Sequence, residues 1–204
     1  MVHFDLPSSR KRGKARALTW IASFVAFPVA GVAASAAVGR VDSTGDALLG
    51  GAIVGLVVGA AQAFASWRRL SLVRWTLATS SGMALGLAAG TLTVGFATTL
   101  PALATVGSLS GAVVGAAQAL ALPRQLGWAR LLWIPASVTI WTSGWTVTTL
   151  AGVRVDEQFA VFGATGALVA TLLSGGFLML IEHVSTRMSV ARATVGPSTG
   201  GAAS

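Results

Sequence analysis

The chain has 204 residues, 54% of them hydrophobic and only 10% charged, with a formal net charge of +8. A soluble domain carries about 25% charged residues, so a water-soluble globule is excluded as the main body. There is no cysteine and no asparagine, which excludes disulfides, thiolate chemistry and N-glycosylation.

Residues 1–16 form a basic tail whose stretch SSRKRGKAR carries Arg10, Lys11, Arg12, Lys14 and Arg16. Six apolar stretches follow, at about 17–38, 47–66, 73–97, 102–122, 131–152 and 159–181. Each is near the 20 residues that cross a bilayer core as a helix. The expectation is an all-α membrane protein with six transmembrane helices in one domain over 17–183, and a flexible cytoplasmic tail over 184–204.

The first stretch, with basic residues before it and AASAAVG at its end, also fits a signal peptide with a small-residue cleavage site. Its length of about 22 residues exceeds the 7–15 of a signal-peptide apolar region and favours a retained span. It carries small residues at Ala22, Ala26, Ala30 and Ala34.

The second stretch opens a repeat. GAIVGLVVGAAQAFASWRRL, from Gly51 to Leu70, returns as GSLSGAVVGAAQALALPRQL, from Gly107 to Leu126. Gly51, Gly55 and Gly59 match Gly107, Gly111 and Gly115; Gln62 matches Gln118, and Arg68 matches Arg124. One further step reaches GATGALVATLLS, where Gly163 is kept, Ala167 and Thr171 replace glycines, and Ser174 replaces glutamine. The unit is a helical hairpin used three times, the third copy degenerate.

Glycine at every fourth position makes a groove that lets helix backbones approach closely, which is how helices associate in lipid. These glycines, with Ala22, Ala26 and Ala30, are therefore helix-packing residues, against helices of this chain, a second copy or a partner membrane protein. Gln62 and Gln118 each lie six residues before an arginine, roughly 9 Å inside the boundary at 1.5 Å per residue. An amide at that depth needs a partner. The two either bond between helices or line one polar pocket.

In the fifth stretch Trp133, Ser137, Trp141, Trp145 and Thr149 recur every four residues and share a helix face. That face either packs aromatically or, through Ser137, Trp141 and Trp145, walls a cavity for a lipophilic ligand. Trp20, Trp67, Trp75, Trp128 and Trp133 fall near one set of span ends, where an indole suits the membrane interface.

Charge sets the orientation. Arg10, Lys11, Arg12, Lys14, Arg16, Arg68, Arg69, Arg74, Arg124, Arg130, Arg187 and Arg192 share one side if every stretch crosses; only Arg40 and Arg154 take the other. The positive-inside rule then places both termini in the cytoplasm of a bacterial inner membrane. The excess charge, above all Arg10, Lys11, Arg12, Lys14, Arg68 and Arg69, contacts anionic lipid headgroups rather than nucleic acid.

Apart from Arg74 at the edge of the third stretch, the spans hold no ionisable side chain, which argues against proton relays, ion pumps and carriers of charged substrates. His3 and His183 are too few and too far apart for a metal site, and no cofactor is expected. Glu182 and His183 read as a solvated helix end.

The six-span plan is similar to that of rhomboid proteases, which pair a serine on span four with a histidine on span six. Here Ser110, in GSLSG, and His183 fall at opposite ends of their spans, about 30 Å apart across the core. A nucleophile and its base need about 3 Å, so that chemistry is excluded. Size, topology and the alanine ladder at Ala22, Ala26 and Ala30 resemble substrate-binding components of energy-coupling vitamin importers, a likeness that implies docking of the first span on a coupling protein. The hairpin of glycine ladder, glutamine and basic end resembles bacterial membrane proteins of unknown function.

Two functional classes follow. One is a non-catalytic membrane subunit or scaffold that packs on partner helices through its glycine ladders. The other is a binding or transport component for a neutral, lipophilic small molecule.

Overall fold

The computed structural model describes residues 17–66, 69–157 and 160–194. Among them the chain is helical, without a strand. The helices are α1 (Ala17–Val38), α2 (Thr44–Ala65), α3 (Leu72–Val94), α4 (Leu100–Ala121), α5 (Trp133–Leu150) and α6 (Ala164–Thr194). Short 3-10 segments at Arg124–Leu132 and Val155–Glu157 lie on the connections before α5 and α6.

Five helices, all but α5, are long and apolar enough to cross a membrane. In α5 three tryptophans and a series of serines and threonines dilute the aliphatic residues.

The helix ends follow local chemistry. The Ser43 hydroxyl accepts from Asp46 N at 3.1 Å and donates to the Asp46 carboxylate, a reciprocal cap on the first turn of α2. Ser71 caps α3 by accepting from Arg74 N at 3.4 Å. Pro101 sits in the first turn of α4, where its missing N–H costs nothing. Gly95 and Gly152, with φ of 66° and 71°, follow α3 and α5 in a conformation that other residues adopt at a cost.

Successive helices pack in chain order, and α6 returns to α1, so the six form a closed ring. Arg69, Arg124 and Arg130 on the connections, and Arg74 in the first turn of α3, gather at one end of the bundle. Arg40 and Arg154 lie at the other, beside Val41 and Val155, which share a crevice there. The outer surface carries exposed aliphatics such as Leu56, Leu85, Leu92, Leu120 and Leu172. Only 22% of the α1 span is buried, against 50% for α2, so α1 is the most peripheral member.

Two boundaries differ from those read in the sequence. The last helix begins at Ala164, not near 159, and runs on to Thr194, past the expected span end near 181 and into the segment read as a flexible tail. Ala160, Val161 and Phe162 are non-helical and buried. Phe162 turns into the bundle, stacking on Phe27 at 5.3 Å and meeting Trp141 at 5.1 Å and Trp145 at 6.0 Å. An apolar run counted as helix is here a non-helical plug that carries Phe162 into the centre.

Candidate functional site

The repeated glycines meet other helices of the same chain. A Cβ on Gly51 would lie 2.6 Å from Met83 O of α3, and one on Gly59 2.9 Å from Thr79 Cβ; Gly55 faces Ser80 Cα between them. The second copy makes the same contacts on α5: Gly107 against Trp141 O at 2.8 Å, Gly111 against Ser137 O at 2.5 Å, Gly115 against Ser137 Cβ at 2.7 Å. These distances leave no room for a side chain, so both grooves are filled from within.

A third ladder, Gly82, Gly86 and Gly90 of α3, takes Val114, Ser110 and Val106 of α4. Its four-residue spacing stands in the sequence and marks it as a packing face as plainly as the other two. The alanines of α1 behave differently. Ala30 and Ala34 are fully buried, Ala26 is half-buried and Ala22 is exposed. The inward face runs through Trp20, Ser23, Phe27, Ala30 and Ala34. Four-residue steps advance about 40° more than a full turn each, and the 3-10 turn at Ser23–Val25 winds the chain more tightly still, so the stripe rotates off the contact by Ala22.

Gln62 and Gln118 are buried and tied to tryptophans one helix further on. Trp75 Nε1 donates to Gln62 Oε1 at 3.1 Å, and Trp133 Nε1 donates to Gln118 Oε1 at 2.8 Å. Gln118 Nε2 then donates to Thr79 Oγ1 at 2.9 Å, and Thr79 donates to Trp75 O at 2.8 Å, which links the two copies. In the degenerate third copy no amide is present, and Trp20 Nε1 donates to the Thr171 carbonyl at 3.0 Å. Trp20, Trp75 and Trp133 are thus buried bonding partners rather than interfacial anchors; Trp128 is exposed, as an anchor would be. The signal was present: a tryptophan follows each glutamine by 13 or 15 residues.

Gln62, Gln118, Ser137 and Trp141 converge on one central cavity, which also touches Phe27 of α1 and Ser174 of α6. It leaves about 20 Å³ for the centre of a water molecule, room for a single water. Trp145 is not part of it and lines a separate crevice at the opposite end. Of the two readings of the Trp141 and Trp145 face, aromatic packing is what the rings do against Phe162. Ser110 is buried between α3 and α4 beside Gly86, while His183 is exposed on α6.

A roomier pocket, about 90 Å³ by the same measure, lies at the arginine-rich end. Its walls are Trp20 of α1, Ala65 and Leu70 around the end of α2, Leu122 and Leu126 after α4, and Gly175, Leu178 and Met179 of α6. Arg69 and Glu182 stand at its rim and form an ion pair, with side chains 44% and 39% exposed. Glu182 is therefore a paired group and not merely a solvated helix end. Nothing in the sequence points to that pairing, since its members are 113 residues apart.

Of the predicted headgroup contacts only Arg69 is among the described residues; Arg10, Lys11, Arg12, Lys14 and Arg68 lie outside them. No group of three or more potential metal ligands occurs among the described residues. The chain matches no protein-family model, no curated protein and no solved structure.

Proposed function

We propose that the chain is a six-span protein of a bacterial cytoplasmic membrane, built from three pseudo-repeated hairpins with both termini cytoplasmic. In this reading it binds a small, overall neutral, lipophilic molecule and catalyses no reaction on it. The observation that carries the reading is the apolar pocket between α6, α1 and the two arginine-bearing connections. It sits where α6 closes the ring onto α1, at the junction where the third copy keeps Gly163 but carries Ala167 and Thr171 for the other two glycines and Ser174 for the glutamine. At that junction Trp20 packs directly on Gly175 and donates to the Thr171 carbonyl, and the pocket opens beside Trp20 and Gly175.

The separation of Arg69, Arg74, Arg124 and Arg130 from Arg40 and Arg154 supports the orientation. The paired contacts of α2 with α3 and of α4 with α5 support the hairpin repeat.

The test is extraction and mass spectrometry of small molecules from the full chain purified in mild detergent. One lipophile at near-stoichiometric amount is expected. Met179→Trp, which fills the pocket from a half-exposed position, should remove it. A wild-type protein free of any such molecule would sink the reading.

A second reading, a scaffold for partner helices, is favoured by one feature. α1 is the least buried helix and exposes Ala22, Ala36 and Ala37. Since the glycine ladders are filled, a partner would dock there. A stoichiometric protein that co-purifies with wild type and is lost on Ala37→Leu would support this reading over the first.

A further inference from the structure

We propose that the pocket at the arginine-rich end is a site for a zwitterionic glycerophospholipid, its phosphate held by Arg69 and its ammonium by Glu182. The inference rests on the ligand-binding reading above and names the chemistry of the ligand.

Depth is the first argument. Arg69 follows the end of α2 at Ala65, and Glu182 lies in the last turn of the apolar span Ala164–Val184. Both stand where a span emerges from hydrocarbon, at the level of headgroups. The walls beneath them, including Leu70, Leu122, Leu126 and Leu178, are aliphatic. A lipid anchored at the rim would run an acyl chain into a matching apolar slot, and one face of that slot is α6, whose neighbouring Leu172 and Leu180 are exposed.

Charge is the second. Among the described residues the rim carries one cation and one anion, in contact. An anionic lipid would bring its phosphate to Arg69 but leave Glu182 facing a second negative charge. A headgroup with phosphate and ammonium complements both. The existing pair does not block this, because an ion pair so exposed contributes little to stability. Inserting a zwitterion exchanges one ion contact for two. The guanidinium has five donors and the carboxylate several lone-pair sites, so each can hold a headgroup group besides other partners.

The experiment is native mass spectrometry of the full chain in detergent with added short-chain phosphatidylethanolamine or phosphatidylglycerol. Phosphatidylethanolamine should be retained about tenfold better, the scale of one charge-assisted contact. Glu182→Gln should bring the two lipids close to parity, and Arg69→Gln should reduce retention of both. An unchanged preference in Glu182→Gln overturns the headgroup assignment, even if Met179→Trp sheds lipid and so upholds the pocket. If Met179→Trp retains both lipids as well as wild type, the pocket itself is not the site, and the underlying binding reading fails with it.

Discussion

Leucine at Gly55 or Gly111 would have to displace a neighbouring helix backbone, because Ser80 and Ser137 main-chain atoms occupy the space of the missing Cβ. Each substitution is expected to cost about 1–3 kcal/mol or more, as overpacked cores do. Gly176→Ala is the matched control. Gly176 is helical and exposed, with nothing within 4 Å of a built Cβ, so alanine should be neutral or stabilise by about 0.5–1 kcal/mol. Gly152, open but at φ 71°, is a poor control, since a side chain there is strained by about 1–2 kcal/mol. Thermal melts in detergent that rank Gly176→Ala with Gly55→Leu would show that the α2–α3 contact is loose.

The glutamines separate in the same way. Gln62 accepts from Trp75, whereas Gln118 both accepts from Trp133 and donates to Thr79. Replacing either by leucine leaves a buried indole N–H without its acceptor, a loss between the membrane average of about 0.6 kcal/mol and the 1–3 kcal/mol of an orphaned buried group. Gln118→Leu should lower the melting temperature more than Gln62→Leu. The double variant should be non-additive, because Thr79 and Trp75 connect the two sites. Equal, additive shifts would mean that this connection carries no energy.

At the scale of elements, the ring is unevenly held. α2, α3, α4 and α5 are locked by glycine contacts and by two indole–amide bonds, while α1 meets α6 through Trp20, the Thr171 carbonyl and Gly175. Local opening samples the least packed element first. Amides of α1 should therefore exchange with deuterium before those of α2 to α5, and Trp20→Phe, which deletes the bond to Thr171, should accelerate α1 alone. Uniform acceleration across the bundle would show that the ring opens as one unit. Helix existence was legible from the apolar runs, and the ladders of α2 and α4 from glycine spacing. The start of α6 was not, because the run through Ala160, Val161 and Phe162 is as apolar as the helix it precedes, and only the position of Phe27, Trp141 and Trp145 draws Phe162 inward.

For the whole molecule, the native lack of cysteine makes topology directly measurable. Single cysteines at Ser71 and Gln125 should be labelled from the cytoplasmic side, and at Thr44, Thr99 and Asp156 from the other. Labelling of Ser71 from outside would reverse the proposed orientation. The same experiment decides whether α5, whose tryptophans and hydroxyls keep it below the apolarity of the other spans, crosses fully, since Gln125 and Asp156 flank it.

Spacing along a helix and charge at its ends are properties of the chain itself, so the all-helical class was legible there, as were the glycine spacings of α2 and α4 and the positions of Arg69, Arg74, Arg124 and Arg130. What a face meets is a property of the neighbours. Whether Gln62 and Gln118 line a pocket or bond between helices was open in the sequence; they do both, since Trp75 and Trp133 reach them and both border the small central cavity. Ala22 belonged to a ladder by spacing, yet the helical pitch and the 3-10 turn at Ser23–Val25 carry it out of the contact. The Arg69–Glu182 pair and the pocket beneath it arise where the sixth helix closes on the first. Ring closure brings together residues far apart in the chain, and no local pattern records that meeting.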